Sequence, residues 1–216
     1  MKFAERIKAK YGVHVLEKKL RNQKRTVAVC NIQYAQNIGI IYNATEFVSF
    51  EIIKDFAKKL FQSKSNVSIL GYVDSKKLID HYLYRKGFDF FSRNDLNWYY
   101  KPASEITEAF MQKPFDILIN LSLEAYYPIQ YIVALSPATF KVGKFSQGDK
   151  HLDLMIDMEK ENEQMKRVHD EIVKDKQGDS TSSEIEQEIE KKTQTELQLS
   201  FLINQIMHYL AILKKN

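Results

Sequence analysis

Apolar positions along this chain fall into two alternating periods. "IGIIYNAT" (38–45) and "NVSILGYVD" (66–74) are short runs rich in β-branched residues, and each predicts a strand. Between them Phe47, Phe50, Ile53, Phe56, Ala57 and Leu60 recur at helical spacing and predict a helix from about Glu46 to Gln62. The alternation continues. "SKKLIDHYLYRKG" predicts a short helix that Gly87 can end, "FDFFS" (88–92) a strand, and "SEITE" the start of a helix from Ser104. "FDILINLSL" (115–123) is almost wholly apolar, as a central strand covered on both faces must be. Pro128 suits the first turn of a helix over "IQYIVALS", and "TFKVG" (139–143) follows as a strand. "TVAVCNI" (26–32) reads as an earlier strand, and "HLDLMIDM" (151–158) as a strand at an edge. Strands alternating with helices predict a three-layer α/β sandwich, Rossmann-like, with a mostly parallel sheet of about five strands.

The two ends of the chain carry a different pattern. Phe3, Ile7, Tyr11, Val15 and Leu16 form an apolar stripe within a basic helix, which Gly12 weakens at its middle. Leu199, Leu202, Ile203, Ile206, Leu210 and Leu213 mark an amphipathic C-terminal helix. Between Glu159 and Lys192 the chain is charged and poor in large apolar residues, with "DKQGDSTSS" in its middle, which predicts two exposed helical pieces around a flexible turn. The expected organisation is a basic helix (1–25), an α/β core (26–158), a charged insertion (159–195) and a C-terminal helix packed on the core (196–216).

Charge sharpens this picture. The net charge is +4, but residues 1–25 hold nine basic residues against two acidic ones, a local charge of +7, so the remainder sums to −3. A basic arm on an acidic body suits contact with nucleic acid or anionic lipid. The arm's phosphate-contact candidates are Lys8, Lys10, Lys18, Lys19, Arg21, Lys24 and Arg25. The alternative is a basic surface helix docked by its stripe. No run of 18 apolar residues and no signal-peptide core are present, so the expected compartment is the cytoplasm.

Several chemistries are excluded by what seven glycines, one cysteine and five histidines can form. The sequence has neither G-x-G-x-x-G nor the P-loop pattern, no G-x-S-x-G elbow, and no H-x-x-x-H pair. Cys30 is alone, so no disulfide and no cysteine zinc site forms within the chain. No metal and no cofactor is expected. Two candidate sites remain. Open parallel sheets bind ligands beyond the carboxyl ends of their strands. Thr45, Asp74, Ser75, Arg93, Asn120, Ser122 and Glu124 fall there, either to meet a nucleotide or phosphorylated metabolite or to cap helices and close turns. "NDLNWYYKP" places Trp98, Tyr99 and Tyr100 beside Arg93 and Lys101, a composition suited to stacking on bases, to docking a protein, or to plugging the sheet end.

"IGIIYNAT", "LGYVDSKKL", "GFDFFSRNDLNWY", "FDILINLSLE", "IQYIVALSPATFKVG" and "LDLMIDME", in this order, resemble a family of small proteins from Bacteroidota, a domain-of-unknown-function family. The resemblance implies a cytoplasmic α/β protein and no particular activity. Tyr100 stands where the family pattern has glycine after "NWY". "FDILINLS…ALSPATFKVG" is also similar to the first strand–helix–strand of heptosyltransferase-like glycosyltransferases. Those enzymes need two such domains, and 216 residues hold one, so this likeness is one of fold. The leading expectation is a non-catalytic binding protein whose basic helix meets RNA, on the ribosome for example, or another anionic surface, a peripheral membrane included. The alternatives are a small enzyme or sensor using the strand-end cluster, and a scaffold that pairs with a protein through residues 159–216.

Overall fold

A computed structural model describes residues 3–62, 65–76, 87–160, 163 and 184–214. Among them, six strands form one sheet: β1 Asn37–Asn43, β2 Asn66–Val73, β3 Phe88–Ser92, β4 Ile117–Asn120, β5 Phe140–Lys144 and β6 Leu154–Ile156. Every neighbouring pair is parallel, in the order β3-β2-β1-β4-β5-β6. That is one strand more than expected, with none antiparallel. The order reverses between β1 and β4, the switch point at which open α/β sheets bind ligands. The central register explains the apolar runs. Ile40 lies beside Ile69 on one side and Ile119 on the other, and all three are buried.

Period-two alternation sends β1 residues to both layers. Ile38, Ile40 and Tyr42 face α2 (Phe47–Phe61) and α5 (Glu184–Ile212), where Ile53, Phe56, Leu60, Leu202, Ile206 and Leu210 close the core. Ile41, Leu70 and Leu118 face α3 (Glu105–Gln112) and α4 (Tyr127–Leu135), packed by Phe110, Ile129 and Ile132. α1 (Phe3–Arg21) lies outside α4, where Leu16 packs on Tyr131 and Ala134. The fold is therefore a Rossmann-like three-layer α/β sandwich.

Three expectations change. Residues 26–32 form no strand; they run extended to a 3-10 turn at Ile32–Tyr34, which the Asn31 side chain caps. Both sides of β1 are taken by β2 and β4, and Val27 is 55% exposed, so this segment is a strap rather than a sheet member. It is anchored by one backbone bond, Ala28 N–H to Thr139 O at 3.2 Å, and by side-chain bonds. Asn31 Nδ2 donates to the carbonyls of Ala211 and Leu213 at the end of α5, both at 2.8 Å. Cys30 is half-buried and its Sγ donates to Asn31 O at 3.6 Å. Second, one helix runs from Glu184 to Ile212, through the boundary expected near residue 195, and its last four turns supply the packing. The helix expected over residues 76–86 and the turn at 175–183 lie outside the described residues. Third, α1 docks by Gly12, Leu16 and Leu20, while Ile7 and Tyr11 of the expected stripe are 51% and 46% exposed. The side chain of Phe3 lies outside the described part.

Candidate functional site

At the carboxyl ends of β1, β2 and β3 the polar candidates meet, and they bond mostly to one another. Asn43 Oδ1 accepts from the N–H and the hydroxyl of Thr45, at 3.1 and 2.6 Å, and Thr45 Oγ1 accepts from Asp74 N–H at 2.8 Å. Arg93 forks onto Asp74, Nε to Oδ1 at 2.6 Å and Nη2 to Oδ2 at 2.9 Å. This guanidinium, followed by the Tyr72 hydroxyl, holds the Asp74 carboxyl below its ordinary range against the opposing effect of burial. Asp74 in turn raises Arg93. Ser75 continues the turn through its carbonyl, which accepts from Arg93 N–H at 3.0 Å. Ser92 and Asp95 form a reciprocal cap on the 3-10 turn after β3. A network this closed holds the loops in place.

The ends of β4 and β5 are built differently. Asn120 Oδ1 accepts from Ser122 N–H at 3.1 Å, turning the chain out of the sheet. Tyr126 links this loop to β1: its hydroxyl donates to Glu124 Oε2 at 3.1 Å and accepts from Asn43 Nδ2 at 3.0 Å. Burial, then the Glu124 charge, pushes Tyr126 up to about 12. A cavity of about 70 Å³ opens beside the loop, well below the roughly 300 Å³ at which pockets begin to enclose a drug-sized ligand. A larger hollow of about 340 Å³ sits at the opposite, amino-end rim, where Lys113 Nζ donates to Ser68 Oγ at 3.1 Å. The cavity beside the loop is by itself too small for a whole nucleotide. Among the described residues, no group of three or more His, Cys, Asp or Glu is placed to hold a metal ion.

The second candidate joins two features that lie far apart in the sequence. Tyr11 of α1 stacks on Trp98 with ring centroids 4.9 Å apart and planes at 29°. Tyr99 meets both rings edge-on, at 5.3 Å from Tyr11 and 5.1 Å from Trp98. Trp98 remains 58% exposed. The turn that presents it is tight. Asn97 Oδ1 accepts from the N–H groups of Tyr99 and Lys101, at 3.1 and 3.0 Å, and an antiparallel bridge joins Leu96 to Pro102. Tyr100 takes φ 67°, a left-handed conformation that glycine adopts freely and tyrosine does not. The turn expected of a glycine is thus made by a strained tyrosine. Gly12 sets the approach of α1: a Cβ there would lie 2.7 Å from the Tyr127 hydroxyl and 2.9 Å from Tyr99 O. It is a contact position rather than only a weak point in the helix.

Of the basic candidates on and after α1, Lys10, Lys18, Lys19, Arg21 and Lys24 are exposed and Lys8 is half-buried. Lys19 Nζ also lies 5.8 Å from the Tyr131 ring centroid. Lys8 and Lys18 stand one and two turns from Tyr11 on the same helix face. Arg25 is placed elsewhere. It pairs with Asp153 and donates to the carbonyls of Ala138 and Thr139, at 2.6 and 3.2 Å, so it ties the strap to β5. Lys101 approaches Glu108 at 3.6 Å.

One family matches residues 8–174, more than half of the chain. The chain belongs to DUF6913, a family of unknown function. No curated protein and no solved structure matches it. The DUF6913 match takes in the whole sheet, the strand-end network and the Tyr11–Trp98 stack, and ends before α5. Sequence reading missed Tyr11 as a partner of Trp98, Tyr126 as a link between β1 and β4, and Lys141 as a buried cation. Lys141 is 1% exposed, and its Nζ donates to Ala134 O at 3.1 Å. Burial, then Arg25, pushes its ammonium down to about 7. The only signal was a lysine inside the apolar strand "TFKVG".

Proposed function

We propose that this DUF6913 protein is a non-catalytic RNA-binding protein, which grips single-stranded segments with the face made by α1 and the turn at 97–101. The Tyr11–Trp98 stack carries the reading, because it joins an exposed indole to the basic helix. Lysines spaced along a helix meet phosphates, and stacking on an exposed ring adds about 1–3 kcal/mol per base without sequence preference. Lys8, Lys10, Lys18, Lys19, Arg21 and Lys24 supply the phosphate contacts, with Arg25 left to its structural pair. On this reading the protein works in the cytoplasm of Bacteroidota cells, with ribosomal RNA among its ligands. No helix among the described residues is long and apolar enough to cross a membrane.

The chain has one tryptophan, so its intrinsic fluorescence reports directly on Trp98. Titration with a mixed-sequence oligoribonucleotide is expected to quench that signal saturably, with affinity falling steeply as salt rises. Quenching that is absent, or indifferent to salt, overturns the proposal. Anionic lipid vesicles provide the comparison: vesicles that bind while RNA does not would move the function to a membrane surface.

A further inference from the structure

For its length, α1 is held to the body lightly. Among residues 5–21 only Gly12 and Leu16 are buried, whereas the shorter α2 buries seven residues. Ile7, Tyr11 and Val13 are each close to half exposed. Gly12 also weakens the helix at its middle, so α1 depends on docking for part of its order.

The surface that α1 covers is incompletely satisfied. A Cβ at Gly12 would lie 2.7 Å from the Tyr127 hydroxyl, so the helix backbone sits directly over that oxygen. The hydroxyl is buried and has no hydrogen-bond partner among the described residues. One turn along α4, Tyr131 is wholly buried against Leu16, and its hydroxyl is unpartnered too. Water would bond both oxygens if α1 were absent, so docking costs their hydration. Leu16 and Leu20 on α4, and Lys19 over the Tyr131 ring, act against that cost.

Past the helix the chain is pinned again. Gln23 Nε2 donates to Leu135 O at 2.7 Å, and Arg25 bonds Ala138 O, Thr139 O and Asp153. Asn22, exposed between them, is the joint between a lightly docked helix and a fixed strap. The outer contact of the arm is the Tyr11–Trp98 stack, with centroids 4.9 Å apart. That spacing leaves no room for a base between the rings, so their inward faces serve RNA only when α1 moves.

We infer that α1 is a hinged arm that lifts from α4 about Asn22, hydrating Tyr127 and Tyr131, and that the lifted state admits a nucleobase between Tyr11 and Trp98. The admission of a base rests on the RNA-binding reading; the hinge does not. A base stacked on both rings replaces the contact that the rings lose, so RNA selects the lifted state.

Hydrogen exchange of the full chain, read by mass spectrometry, tests the hinge, with Tyr127→Phe as the main variant. Amides of α1 should exchange faster than those of β1 and β4, at a rate that low urea changes little. Tyr127→Phe removes the hydroxyl whose hydration is lost on docking, so α1 should exchange about fivefold slower or more. Tyr131→Phe should act in the same direction. Exchange of α1 in step with β1 and β4, or indifference to both variants, would overturn the hinge. A labelled oligoribonucleotide then tests the lifted state. Its affinity for Tyr127→Phe should fall by the same factor as α1 exchange, because the binding state has become rarer. Gly12→Ala, whose Cβ meets the Tyr127 hydroxyl and Tyr99 O, should lift the arm and tighten RNA binding. Unchanged or tighter RNA binding by Tyr127→Phe would overturn base insertion. If the wild type binds no RNA while α1 exchange slows as expected, the RNA reading fails and the hinge stands.

Discussion

The two ends of α4 solve the same problem in opposite ways. At its carboxyl end the orphan carbonyls are met by protein. Lys141 Nζ donates to Ala134 O, Gln23 Nε2 donates to Leu135 O at 2.7 Å, and Arg25 secures Ala138 just beyond. At its amino end no side chain caps the helix, and the hydroxyls of Ser122 and Tyr127 are buried without partners. The aromatic face, with Tyr99 and Gly12 against Tyr127, borders this same end. Bonds completed within the chain mark scaffold. At the amino end it is the exposed rings and cations nearby, not the buried hydroxyls, that a ligand can reach.

The largest expected effect lies at the closed end. Unfolded Lys141 keeps its proton up to about 10.5, whereas the folded ammonium releases it at about 7. Between those values the unfolded state holds more protons, so stability should rise with pH, on the order of 1 kcal/mol per unit. Tyr72, Tyr126 and Tyr127, all held above the ordinary tyrosine range by burial, oppose this only above about pH 10. Urea unfolding at pH 7, 8 and 9 should show the slope, and Lys141→Met should flatten it and raise stability at pH 7. A flat wild-type profile would mean that this end is not sealed by a buried amine.

The open end should respond in binding rather than in stability. Trp98→Ala is expected to weaken RNA at least tenfold, in line with about 1–3 kcal/mol per stacked base, with little change in melting. Anisotropy of a labelled oligoribonucleotide measures it, and a large stability loss with intact binding would reverse the roles assigned to the two ends. Asp74→Ala sharpens the contrast from the strand-end network. Its partner Arg93 is 53% exposed, so the cost should be about 1 kcal/mol or less, and RNA affinity should stay within about twofold. Smallest of all, Tyr100→Gly should stabilise the chain by about 0.5–1 kcal/mol, because relief of the left-handed strain outweighs glycine's added chain entropy. Chemical denaturation resolves that gain.

Much of the fold was legible because it is written in local periods. "FDILINLSL" reads as a buried strand and becomes β4, and the helical spacing from Phe47 to Leu60 becomes α2. The strap at 26–32 was misread because "TVAVC" has strand composition, while pairing depends on which sheet positions remain free. Of the strand-end candidates, Asp74 and Arg93 bond to each other, and composition does not distinguish a pair that bonds to itself from one that awaits a ligand.

The α/β alternation, the central apolar strands and the basic charge of the first helix are all local, since periodicity and charge are properties of neighbouring residues. Long-range packing places Tyr11 on Trp98, buries Lys141 under the end of α4 and leaves the Ser122 hydroxyl buried without a partner. Those facts depend on which distant segments the sheet order brings together, and on how closely Gly12 lets two helices approach.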